Sequence, residues 1–240
     1  MLSDTSPQTQ ISDRLPLADG LSQNQSDDSQ TKRLPAFLAA AFLVSVPVFI
    51  QAPLVRVQPW VSLAMTLLWI VSGFQLLRYR SLELWGDLAI GFSWTWLAGS
   101  IYWGWLRENP YIHLPIEAIG LPIVLILISQ KRLMVGSYFY LGSLLGTAIT
   151  DLYFYWVNLL PYWKQAMQVE PAAVGPVLHN ALLEIQNPIA AIRAMVLLTI
   201  LMLMGSFAMK EQHTHSWAFA GAVLSTILVD ALFLAAATLA

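Results

Sequence analysis

The chain has 240 residues, of which 57% are hydrophobic and 11% charged, with a formal net charge of −2. Soluble domains carry roughly 25% charged residues, and eight of the 26 formal charges here fall within the first 33 residues, so the remainder is too thinly charged to cover a soluble surface. The lack of cysteine excludes disulfides, thiolate metal centres and thiol catalysis, and the slightly acidic balance gives no support to nucleic-acid binding.

Residues 1–33 differ in kind from the rest. Ser, Thr, Gln, Asn, Asp, Pro and Gly make up 23 of the 33. Such a stretch buries too little apolar surface to offset the entropy of ordering it, which predicts a disordered polar tail. Residues 34–240 read as a transmembrane domain. A membrane-crossing helix needs about 20 mostly apolar residues, and seven stretches meet that description: Pro35–Val55, Trp60–Leu77, Trp85–Leu106, Tyr111–Ser129, Val135–Trp156, Ile189–Met209 and Trp217–Leu239. The fold class expected is therefore all-α, a polytopic transmembrane helix bundle of about seven spans in a lipid bilayer.

Lysine and arginine collect on the cytoplasmic side of membranes. With the N-terminus inside, that side holds Arg14, Lys32, Arg33, Arg78, Arg80, Lys131, Arg132 and Lys210, against Arg56, Arg107, Lys164 and Arg193 on the far side. The N-terminus is therefore expected to be cytoplasmic and the C-terminus outside. Trp60, Trp85, Trp105, Tyr111, Trp156 and Trp217 stand at span ends, as interface anchors do. In the long far-side connection, Val174, Val177, Leu178, Ala181, Leu182 and Ile185 recur at helical spacing. They predict an amphipathic surface helix over about residues 172–187.

Ionisable groups inside a bilayer are costly, and each marks a candidate site. Asp87 falls at the cytoplasmic end of the third span, within reach of headgroups, and Asp230 lies near the middle of the last span as a possible proton site. Glu117 is about six residues inside the fourth span, roughly 9 Å deep at 1.5 Å per residue, and Asp151 on the fifth and Arg193 on the sixth lie at similar depth. His113 precedes Glu117 by four residues and so shares its helical face. One layer of His113, Glu117, Asp151 and Arg193 is thus predicted. It could neutralise itself, hold a polar headgroup or pass protons. Pro115, Gly120 and Pro122 should kink the helix there. The aromatic faces of the third and fifth spans would suit a pigment or an isoprenoid. His213 and His215 share a short loop, and two histidines alone do not make a structural zinc site; no metal site is read.

The segments FLVSVPVFIQAPLVR (Phe42–Arg56), LWGDLAIGFSWTWLAGSIYWGWLRENPYIHLPIEAIGLP (Leu84–Pro122) and FYLGSLLGTAITDLYFY (Phe139–Tyr155) resemble an uncharacterised family of multi-spanning membrane proteins associated with cyanobacteria. The likeness runs from about Leu34 to the end. It implies a cyanobacterial thylakoid or plasma membrane and carries no activity with it. The string LPIEAIGLPIVL is more weakly similar to the Pro-x-Glu-Glu region of small membrane lycopene cyclases, whose carboxylates protonate an isoprenoid double bond. Glu117 is the matching position, and Ala118 stands where the second glutamate would be. Together these readings lead to an auxiliary or assembly protein of a photosynthetic membrane complex, with subunits of that complex as partners. The alternatives are a membrane-embedded isoprenoid or lipid enzyme using Glu117 and Asp151 as acid and base, and a small-molecule or proton-coupled transporter.

Overall fold

The computed structural model describes residues 15–239, with side chains from residue 30 to 238 apart from Pro171. Helices follow one another along the chain: α1 (Leu15–Val57), α2 (Pro59–Leu76), α3 (Glu83–Ile101), α4 (His113–Glu117), α5 (Leu121–Ser129), α6 (Met134–Trp156), α7 (Leu160–Gln168), α8 (Gly175–Ile185), α9 (Pro188–Lys210) and α10 (Thr214–Leu239). There is no strand among the described residues. The all-α bundle expected from the sequence is the fold observed.

The expected polar tail lies outside the described residues up to Arg14, and α1 is helical from Leu15. Among the described residues, five stretches are long and apolar enough to cross a membrane: Gln30–Val57, Pro59–Leu76, Pro110–Ser129, Pro188–Lys210 and Thr214–Thr238. The other two expected spans, α3 and α6, have the length, at 19 and 23 residues, but are too rich in Trp, Tyr, Ser, Thr and Gly.

Position in the bundle accounts for that composition. α3 packs against α1, α2 and α6, while α6 packs against α3, α5, α9 and α10. A helix enclosed by other helices needs small residues for close approach and can carry polar ones if they are paired. The central cluster joins Ala36, Ala39 and Ala40 of α1, Leu88, Phe92 and Trp96 of α3, Phe139 of α6, and Ala218 and Ala222 of α10. The α3–α6 contact is backbone on backbone. A methyl at Gly91 would fall on Gly136, and one at Gly136 on the carbonyl of Asp87. The outer helices α2 and α9 instead expose Leu67, Leu68, Val71, Ile192, Met195 and Met202, a lipid-compatible surface.

Several polar side chains inside the bundle are paired, although the Thr66 and Ser137 hydroxyls and the Trp69 indole N–H are buried without a partner among the described residues. Gln51 of α1 donates to the carbonyl of Trp96 (2.7 Å) and to Ser100 (3.0 Å). Ser100 meets Ser62 of α2 at 2.8 Å, and the Trp96 indole donates to the Ser62 carbonyl at 2.8 Å. Three helices are thus tied at one level by groups that would each be costly if left unpaired. Asp87 is buried and does not reach for headgroups. Its two oxygens accept from the backbone N–H of Val135 and of Gly136, both at 2.9 Å. These are among the orphan donors of the α6 N-terminus, where the local cap residue Leu133 offers no side-chain bond.

Candidate functional site

The apolar stretch Pro110–Ser129 is broken, and the break builds the site. Pro115 and Pro122 cannot donate backbone hydrogen bonds, and the chain runs as α4, a tight turn over Ala118–Gly120, then α5. The Leu121 N–H goes to Ala118 rather than to the Glu117 carbonyl a full turn back. Tyr140 of α6 braces the break: its hydroxyl donates to the Glu117 carbonyl at 2.7 Å and accepts from the Gly120 N–H at 3.1 Å. Trp94 of α3 packs so close to Gly120 that a Cβ there would meet its ring at 2.9 Å.

His113 opens α4 and faces α6. Its Nδ1 lies 2.9 and 3.0 Å from the two oxygens of Asp151. Its Nε2 lies 3.8 Å from Glu117 one turn on. The side chains of His113, Asp151 and Glu117 are 11%, 20% and 13% exposed. Both imidazole nitrogens therefore face carboxylates in a largely enclosed place.

Aromatic rings close the rest. Tyr102 and Trp103 come from Tyr102–Leu106, a wide π-helical turn at the end of α3, a distortion frequent at functional sites. Tyr102 lies against His113 at 4.3 Å between centroids, and Trp103 is 5.9 Å away. Trp163 of α7 covers it from outside the span, 5.5 Å from His113 and stacked on Trp103 at 5.5 Å. The Trp163 indole donates to the Arg107 carbonyl at 3.1 Å. The turn that places it is a Schellman motif: Asn158 adopts the left-handed conformation at φ 59°, Asn158 N–H bonds to Tyr155 and Leu159 N–H to Phe154, the pattern that ends helices and redirects the chain.

The predicted layer is thus partly assembled. His113, Glu117 and Asp151 come together; Arg193 does not join them. It is half-buried and donates through Nη1 to the carbonyl of Trp156, the last residue of α6. Among the described residues it pairs with neither carboxylate. The negative end of a helix is itself a partner for a cation, and it lies within reach of α9. Asp230 is held by Thr150 of α6, whose hydroxyl donates to it at 2.8 Å, next in sequence to Asp151 and within electrostatic range of it. Tyr102 and Trp103 belong to the aromatic face that the sequence offers to a pigment, whereas Tyr140 and Trp163 carry no site signal of that kind. For Trp163 the available signal was Leu160-Pro161 before an amphipathic stretch, which reads as a helix start.

A model for the family described as "Protein of unknown function (DUF3120)" matches residues 40–238. The chain belongs to that family. The match takes in His113, Glu117, Asp151, Arg193 and Asp230, so the whole polar layer lies inside the DUF3120 region, and the description assigns it no activity. No curated protein and no solved structure matches the chain.

Proposed function

We propose that the protein is a seven-span membrane protein, with a cytoplasmic N-terminus, whose far-side layer is a proton-exchange site. The observation that carries this reading is the His113–Asp151 pair with Glu117 at the second imidazole nitrogen. Charge balance supports it. Two carboxylates meet one imidazole in a largely enclosed place, so pairwise neutralisation leaves one acid over. An imidazole with a carboxylate at each nitrogen has the elements of a relay. Asp230 with Thr150 extends it toward α10. Burial of α3 and α6 among the other helices supports counting both as spans.

Of the functions weighed from sequence, this favours proton-coupled transport. Acid chemistry on an isoprenoid gains less, since the Glu117 carboxylate faces an imidazole and rings cover His113. The auxiliary role in a cyanobacterial photosynthetic membrane stays as a second reading. It is favoured by the exposed Met195, Met202, Met204 and Phe207 on α9, a face as suited to a partner helix as to lipid.

The test is proton flux into liposomes carrying the protein and an internal pH-sensitive dye. An imposed pH gradient should dissipate faster than in protein-free liposomes, and Asp151→Asn and Glu117→Gln should each remove most of that excess. Equal flux in both variants and the parent would overturn the reading. Stoichiometric recovery of photosynthetic subunits with the protein in mild detergent would instead support the auxiliary role.

A further inference from the structure

At the other end of the bundle, where Lys210 closes α9 and Thr214 opens α10, lies a cavity of about 420 Å³. We propose that it binds the phosphate diester headgroup of a membrane phospholipid. Its walls include Tyr138 of α6, Phe207 and Ser216, together with His213, His215 and Phe219. Ser216 is only 7% exposed, and no hydrogen bond is made by its hydroxyl among the described residues. The same is true of the Tyr138 hydroxyl and of both imidazoles. The Ser216 hydroxyl is thus free to bond a ligand, and four side chains able to donate line one space.

The chemistry of the donors points to an anion. The cavity sits at the first turn of a 26-residue helix, whose positive dipole end attracts negative charge, although the Ser216 N–H is taken by the His213 carbonyl at 3.1 Å. The Lys210 ammonium stands beside it, 4.8 Å above the Phe207 ring. Glu211, exposed at the rim, is a single carboxylate among these donors, placed to balance an imidazolium or to meet an amine on the headgroup. A metal ion fits less well. The two imidazoles stack in parallel, 5.1 Å apart and 8° from coplanar, and the described residues hold no cluster of three metal-ligating side chains. The apolar side of the cavity identifies the source of the phosphate. Phe207 is exposed on the lipid-compatible face of α9, so an acyl chain can leave along it while the headgroup stays inside.

Native mass spectrometry of the delipidated full chain tests this, after exposure to phosphatidylglycerol, phosphatidylethanolamine or a monoglycosyl diacylglycerol. One phospholipid should be retained per chain and the sugar lipid should not. Ser216→Ala and His215→Gln should each cut retention about tenfold, the effect of losing one charge-assisted hydrogen bond. Lys210→Gln, a change at an exposed side chain, should weaken it in the same direction. Equal retention of the sugar lipid, or unchanged retention in all three variants, would overturn the proposal. Displacement of the lipid by millimolar inorganic phosphate would overturn the lipid assignment in favour of soluble phosphate.

Discussion

Two residues show how much of this bundle depends on one polar atom reaching across a helix boundary. Tyr140 completes the backbone of a neighbouring broken span through a single hydroxyl. Tyr140→Phe should remove both bonds that brace the break, at about 1–3 kcal/mol, read as a fall in thermal midpoint in detergent. Asp87 caps α6 from α3, so Asp87→Ala should cost about as much by the same assay, and Asp87→Asn, which keeps one acceptor oxygen, should recover part of the loss. Equal midpoints for Asp87→Ala and Asp87→Asn would mean that the cap contributes little. The two residues differ in how far sequence exposes them. An aspartate near a basic loop reads as an interfacial group, because a cap given by one helix to another has no local signature. His113, Glu117 and Asp151 were legible, since span boundaries fix depth and i, i+4 spacing fixes a face. Arg193 shares their depth, but depth does not determine which way a side chain turns, and a free helix end took it.

Among the elements, α3 and α6 are where composition misleads. Their aromatic and small residues lower hydropathy below that of the outer helices, although they sit at the centre. Gly91 and Gly136 explain why: two backbones in contact leave no place for side chains. Gly91→Ala should therefore sharply reduce the yield of monodisperse protein. Gly104→Ala, whose nearest obstacle is the Pro59 Cβ at 3.2 Å, should be tolerated, with size-exclusion profiles separating the two. α7 was hidden for a different reason. A nine-residue amphipathic helix has too few turns to stand out, and the Asn158 turn that directs Trp163 over His113 depends on a conformation that sequence only permits.

At the scale of the molecule, alternation of helices gives a topology open to direct test. The chain has no cysteine, so single cysteines can be introduced without removing any. Substitutions at Ser81, Gln130 and Gln212 should be labelled from one side of sealed vesicles, and substitutions at Glu108 and Gln168 from the other. Labelling of Ser81 and Glu108 from the same side would remove α3 from the set of spans. The outer surface is plain apolar helix, and the features that differ from a generic bundle lie at its two ends: the imidazole–carboxylate layer under Trp163, and the unfilled donors around Ser216.

The cap that Asp87 places on α6 also bears on how the chain is made. Ribosomes deliver α3 before α6, so the acceptor is already made by the time Val135 and Gly136 emerge, and the helix that needs it can be finished on arrival. The reverse order would leave two amide donors without a partner. Synthesis from the N-terminus thus meets this demand with a supply already in place, and a fragment beginning after α3 would fold with its central helix unfinished.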